Sequence, residues 1–171
     1  MVPKTSGKIF QLSKHAFLSG TQPRDTNELA ADDDFTSFWL DFKSKIIVPT
    51  QCEALLEAYV AIYSGTKSWA DGLSFVERAT RVQGVVDIIR NHPPDIIILD
   101  QLEETVYGFH TRQPDQWPYV IISNYWVDQW RLAIAFNKNG RLALSLETVL
   151  RATLVHELAH WFSSLVSNYF F

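Results

Sequence analysis

The chain has 171 residues, which suggests a single domain, and 47% of them are hydrophobic, which excludes a disordered chain. The formal net charge is -4 and Lys and Arg do not cluster, so we expect no nucleic-acid binding. The single cysteine, Cys52, excludes an intrachain disulfide and is expected to be a buried, inert thiol.

The chain is predicted to begin with an irregular arm over residues 1–33 and to continue as one domain over residues 34–171. The arm contains Gly, Pro and scattered polar residues without a periodic apolar pattern. The acidic run 32–34 fits a solvated helix start, where the helix dipole favours carboxylates. Three helices are predicted next, because apolar residues recur at helical spacing over 35–46, 55–63 and 73–91.

The pattern changes after Pro93-Pro94. Two short β-branched runs, 95–99 and 119–122, are typical of buried strands. The runs 132–136 and 141–145 flank Asn139-Gly140, a dipeptide suited to a tight turn, and they predict a β-hairpin. The predicted fold class is therefore α+β. It consists of N-terminal helices, a small mixed sheet with a hairpin, and a C-terminal helix that begins near Ser145.

The last predicted helix carries the string His156-Glu157-Leu158-Ala159-His160. Helical residues four apart lie on one face about 5–6 Å apart at Cβ, so both imidazoles can bind one Zn²⁺. The carboxylate of Glu157 can then reach a zinc-bound water and remove its proton during attack on a carbonyl. The chain has five His, so the motif is expected by chance only about 0.007 times. We predict His156 and His160 as metal ligands and Glu157 as the catalytic base.

In this motif the chain resembles the zincin superfamily of metallopeptidases, over about residues 132–166. The resemblance implies a zinc-dependent hydrolase that cleaves peptide bonds in a peptide or protein substrate. It also implies an upper subdomain in which a mixed sheet backs onto the active-site helix. In zincins the edge strand of that sheet binds the substrate main chain antiparallel. One of the hairpin strands, 132–136 or 141–145, would be that edge strand.

Catalytic zinc usually has three protein ligands, and the motif supplies two. No His, Asp or Glu follows His160, and Ser163 and Val166 replace the Gly and His of the longer metzincin motif. Three explanations stay open. The third ligand lies beyond a truncated C-terminus, or it comes from upstream as in peptide deformylases, or the protein binds metal through two His and is inactive. The upstream candidates are His110, His92, Asp128 and Glu147.

Two other functions are alternatives to this peptidase. The first is a catalytically inactive zincin-like module that binds metal or a partner protein. Its contact surface would be the aromatic residues Trp117, Tyr125, Trp126 and Trp130. The second is a peptidase that acts on DNA-bound proteins, as SprT-like zincins do, although the acidic charge balance argues against it.

Four features of the sequence favour an intracellular location. No apolar run is long enough to span a membrane, and polar residues interrupt any apolar core of a signal peptide near the N-terminus. No Asn-x-Ser/Thr sequon occurs, and the chain has one cysteine.

Overall fold

The computed structural model describes residues 7–18, 27–63, 72–100, 105–110 and 119–169, with the side chains of 18, 55, 58–63, 110 and 163–169 left out. Over these residues the fold is α+β, with six helices and a four-stranded mixed sheet. In chain order the elements are β1 (Ile9–Ser13), α1 (Lys14–Leu18), α2 (Asp34–Ile46), α3 (Pro49–Tyr63), α4 (Phe75–Asn91), β2 (Ile96–Asp100), β3 (Gly108–His110), β4 (Val120–Ser123), α5 (Asn124–Asn137) and α6 (Arg141–Tyr169).

The sheet has the strand order β1-β2-β4-β3. The strands β1, β2 and β4 are parallel, with Ile96 opposite Ile9 on one side and Val120 on the other. The strand β3 is antiparallel and pairs Gly108 with Ile122 at the other edge of the described sheet. The mixed sheet and the two buried strands after Pro94 are therefore confirmed.

Both faces of the sheet are apolar, as expected for parallel strands covered on both sides. One face packs against the core formed by α2 to α6, and its strand residues are Ile9, Ile96, Ile98, Val120 and Ile122. The opposite face carries a smaller cluster, in which Phe17 of α1 and Phe109 of β3 pack against Leu12, Ile97, Leu99, Tyr119 and Ile121. The larger core therefore lies between the sheet and the helices, and α6 crosses it.

The expectation of an irregular arm over residues 1–33 is wrong for the segment that forms β1 and α1. In β1 the side chains of Ile9, Phe10 and Leu12 are buried. The strand is held to the sheet by parallel pairing with β2, and the backbone N–H of Lys8 donates to Asp95 Oδ1 at 3.0 Å. A five-residue strand whose partner lies so far along the chain leaves almost no local pattern.

The three helices predicted in the first half are confirmed as α2, α3 and α4. The acidic run does begin a helix: Asp33 is the N-cap of α2, and its Oδ1 accepts from the N–H of Phe35 at 2.8 Å. The helix α4 begins with a capping box between Ser74 and Glu77. Within the described residues, no helix has the length and hydropathy needed to cross a membrane.

The predicted β-hairpin over 132–145 is wrong, because these residues belong to α5 and α6. Leu132 and Phe136 are exposed, at 66% and 94%, whereas Ala133 is buried, so burial does not alternate as it does in a half-buried strand. Gly140 has no positive φ, and its N–H donates to Asn137 O at 2.9 Å in a helix–helix connection. Both runs consist mostly of Leu and Ala, which favour helices. The helix α6 consequently begins at Arg141 and not near Ser145.

Candidate metal and catalytic site

The helix α6 is held in place by a buried stripe on one face. The stripe recurs every three or four residues and consists of Ala143, Leu146, Leu150, Leu154, Leu158 and Trp161. Arg151 adds a polar link to α2, because its guanidinium lies 2.8 Å from Asp41 Oδ2 and 5.0 Å from the ring centroid of Phe38. The burial of Leu158 orients the turn that carries the predicted site residues.

His156 and His160 lie one helical turn apart on α6, and their rings converge. The two Nε2 atoms are 3.1 Å apart, and the ring planes are nearly perpendicular at 83°. His156 is exposed and His160 is half-buried. The helix therefore brings the two predicted ligands together as their spacing indicates.

This separation fits the two-histidine half of a zinc site. Two nitrogens that each lie ~2.05 Å from one tetrahedral ion are about 3.3 Å apart, close to the separation found here. A hydrogen bond between the two rings has a similar length. A metal measurement therefore distinguishes these two origins of the contact.

Glu157 is largely buried beside this histidine pair. Its side chain is only 5% exposed, yet it lines an open cleft together with His156. Burial raises the pKa of the Glu157 carboxyl, and the neighbouring His156 partly opposes that effect. A largely buried carboxylate that reaches a cleft next to two convergent imidazoles can accept a proton from a molecule bound there.

The cleft has a volume of about 550 Å³ and lies between residues 105–108 and residues 149–157 of α6. The close approach of β3 to the helix depends on Gly108. A Cβ built on Gly108 would lie 2.7 Å from the backbone oxygen of Ile121 and 2.9 Å from Thr153 Cγ2. The sequence pattern did not predict that residues 105–108 form a wall of the cleft. A glycine within a short strand, which often marks a close backbone approach, was the available signal.

Among the upstream candidates whose side chains the structure describes, none joins the histidine pair as a third ligand. Asp128 binds Asn124 and Arg131, and Glu147 forms an ion pair with Arg151 about 13.5 Å of helix rise before His156. His92 caps the C-terminus of α4, and the side chain of His110 lies outside the described residues. Among the side chains that the structure describes, no group of three or more His, Cys, Asp or Glu could hold a metal ion.

Cys52 is not available as a ligand either. Its side chain is fully buried in α3, and Sγ lies 3.6 Å from Ile46 O. Burial raises the pKa of this thiol to about 11. The prediction of a buried thiol is confirmed.

Of the described aromatic residues proposed as a contact surface, Tyr125 and Trp126 contact each other edge to face, at a centroid distance of 5.2 Å. Trp130 is buried and contacts Phe35 and Phe38 in the core. Trp126 is half-buried and stacks on Tyr107, which lines the cleft, at a centroid distance of 4.6 Å. Trp117 lies outside the described residues. Among the described residues, the aromatic group beside the cleft consists of Tyr107, Trp126 and Tyr125, and Trp126 contacts the other two.

Comparison of the chain with protein-family models, with curated proteins and with solved structures finds no match. The candidate site therefore rests on three residues and their surroundings. These are the convergent Nε2 atoms of His156 and His160, the largely buried carboxylate of Glu157, and the cleft against which they lie.

Proposed function

We propose that this chain is a zinc-dependent metallopeptidase with its reaction centre at His156, Glu157 and His160. The observation that supports the proposal most is the 3.1 Å separation of the two imidazole Nε2 atoms beside a carboxylate that lines an open cleft. Two histidines and an adjacent glutamate on one helix can supply two metal ligands and a general base for metal-assisted peptide hydrolysis.

Each of the three side chains has a role in this proposal. His156 and His160 would hold the metal, because their Nε2 atoms converge. When bound, Zn²⁺ supplies a Lewis acid that polarises the scissile carbonyl and lowers the pKa of water to about 7. Glu157 removes a proton from the attacking water and returns it to the leaving nitrogen, so no net proton is consumed in the two transfers.

The strand β3 has the features required of a substrate-binding edge strand. It is antiparallel to β4, lies at an edge of the described sheet and packs against α6 beside Glu157. An extended peptide could add to its outer edge by main-chain hydrogen bonds. We propose β3 as the substrate-binding edge strand, in place of residues 132–136 or 141–145.

The metal half of the proposal is tested by zinc content. The purified protein is expected to bind zinc at close to one equivalent, and His156→Ala or His160→Ala should reduce the affinity by at least tenfold. His15→Ala is the matched control, because His15 is exposed on α1, and it should retain zinc. A folded wild-type protein that binds no zinc would contradict the proposal.

The catalytic half is tested by Glu157→Gln, which keeps the size of the side chain and removes its basicity. We expect cleavage of a peptide mixture to fall by roughly 10²–10⁴-fold while zinc content is unchanged. Glu147→Gln is the control on the same helix and should retain activity. Unchanged cleavage in Glu157→Gln would exclude Glu157 as the base.

A catalytically inactive metal-binding module is the second candidate. It is favoured by the finding that no three-ligand group exists among the described side chains. This candidate predicts bound zinc without peptide cleavage in the wild-type protein. The two experiments above therefore separate it from the peptidase.

A further inference from the structure

The cleft beside Glu157 has two walls. One is formed by residues 105–108, which include Val106 and Tyr107, and the other by the face of α6 that carries Val149, Ala152 and Thr153. A volume of about 550 Å³ is within the range of small-molecule sites and exceeds that of one large side chain. The space therefore suits part of a peptide next to the reaction centre.

The helix wall is more apolar than its sequence suggests. Thr153 is the polar side chain that this wall carries before His156, and its hydroxyl donates to Val149 O at 3.0 Å. Its methyl group faces Gly108, and it would lie 2.9 Å from a Cβ at that position. The hydroxyl is thus used within the helix, and the wall is formed by methyl and methylene groups.

The charges in this cleft disfavour charged side chains of a substrate. Among the described residues that line it, none is Lys or Arg, and the ionisable side chains are Tyr107, His156 and Glu157. None of the described lining residues is a Lys or Arg that could pair with a substrate carboxylate in the cleft. The negative charge of Glu157 would also repel that carboxylate. A substrate ammonium would lose hydration against Val149 and Ala152, and pairing with Glu157 would occupy the proposed base.

We propose that this cleft selects an uncharged, apolar side chain of the substrate near the cleaved bond, and that Ala152 sets how large that side chain can be. Ala152 lies one helical turn before His156 and is exposed in the cleft, so a larger residue there would fill the space without entering the core. This inference rests on the proposed peptidase function, because it concerns the substrate of the same site.

The test uses peptides that are identical except at one position, which is Leu, Phe, Lys or Asp, with that position moved along the peptide. Binding is measured by calorimetry with the metal-depleted wild-type protein, which keeps Glu157 but should not cleave the peptide, and cleavage by the metal-loaded wild type is mapped by mass spectrometry. At the selective position, Leu and Phe peptides should bind and be cleaved at least about tenfold better than Lys and Asp peptides.

Ala152→Phe should weaken binding of the Phe peptide by about tenfold or more and leave zinc content unchanged. Thr148→Phe is the matched control, because Thr148 is exposed one turn earlier on α6 and does not line the cleft. It should bind peptides like the parent protein. Circular dichroism shows whether both variants keep the fold.

Equal binding of apolar and charged peptides, or an Ala152→Phe protein with unchanged preference, would overturn the inference. Different results would refute the peptidase function and the selectivity of the cleft. A protein that binds no zinc and cleaves nothing refutes the peptidase, and peptide binding to the metal-free wild type still tests the cleft. Zinc-dependent cleavage without side-chain preference refutes the cleft assignment alone.

Discussion

Gly108 of β3 lies so close to Glu157 of α6 that a Cβ on Gly108 would be 3.4 Å from Glu157 Cγ. The same Cβ would lie 2.7 Å from the backbone oxygen of Ile121, which is shorter than van der Waals contact allows. Backbone atoms cannot turn aside as a flexible side chain does. The distance between the edge strand and the proposed base therefore depends on the absence of a side chain at position 108.

We predict that Gly108→Ala destabilises the protein by about 1–3 kcal/mol, because the added methyl group forces β3 away from its neighbours. The shift would also displace one wall of the cleft from Glu157. The free energy of unfolding is measured by urea denaturation, and peptide cleavage is measured at a temperature at which the variant is still folded. Cleavage should fall more than the loss of folded protein explains.

Gly84→Ala is the control for this substitution. Gly84 lies within α4, and a Cβ there would meet no atom within 4 Å. A glycine in the middle of a helix is less stable than alanine, so Gly84→Ala should stabilise the protein by roughly 0.5–1 kcal/mol. The two Gly→Ala substitutions should therefore change the free energy of unfolding in opposite directions. The same sign at both positions would contradict the tight packing at Gly108.

The thiol of Cys52 is predicted to react slowly in the folded protein. At pH 8 a pKa of about 11, compared with the ordinary value of 9.0, lowers the thiolate fraction. Two pKa units correspond to roughly 100-fold less thiolate, and burial slows the reaction further. Labelling with a chromogenic disulfide reagent, with and without urea, measures this directly because the chain has one cysteine. Similar rates in both conditions would contradict the buried position.

The same raised pKa makes stability depend on pH. The folded state holds the Cys52 proton more tightly than the unfolded chain, so the associated stabilisation is complete below pH 9. It is lost as the pH rises from about 9 to about 11. Urea denaturation at pH 8 and pH 10.5 should show a larger loss of stability in the wild type than in Cys52→Ala. Parallel losses in the two proteins would refute this linkage.

The elements that the sequence predicted correctly are those with local signals. The helices α2 and α4 have capping residues at their starts, and β2 and β4 are β-branched runs. The histidine pair was predictable for the same reason, because both histidines and the glutamate lie within about one turn of one helix.

The elements that were missed depend on distant partners or on ambiguous patterns. The strand β1 exists because it pairs with β2, and β3 has only three residues, so neither carries a periodic signal of its own. The Leu- and Ala-rich runs 132–136 and 141–145 fit both a strand and a helix. In the structure they are helical, and α5 packs against α6. The cleft was not predicted, because its two walls lie far apart in the chain and meet through the pairing of β3 with β4 and the packing of α6 on both strands.

The ion pair between Asp33 and Arg131 links the start of α2 to α5, and Asp33 also caps α2. Arg131 Nη2 lies 2.9 Å from Asp33 Oδ1 and 2.8 Å from Oδ2, and both side chains are mostly buried. Asp33→Asn keeps an oxygen for the N–H of Phe35 and removes the charge, so it should cost about 0.5–1 kcal/mol. Asp33→Ala removes the cap as well and should cost about 1 kcal/mol more.

Salt separates these two contributions of Asp33. Raising NaCl from about 0.05 M to about 0.5 M is expected to shrink the cost of Asp33→Asn, because the lost interaction is between charges that salt screens. The additional cost of Asp33→Ala should persist, since a hydrogen bond to the backbone of α2 does not depend on distant charges. Urea denaturation of the wild type and both variants at the two salt concentrations measures each difference. If Asn and Ala cost the same at both concentrations, Asp33 does not act as the cap of α2, and only its pairing with Arg131 contributes to stability.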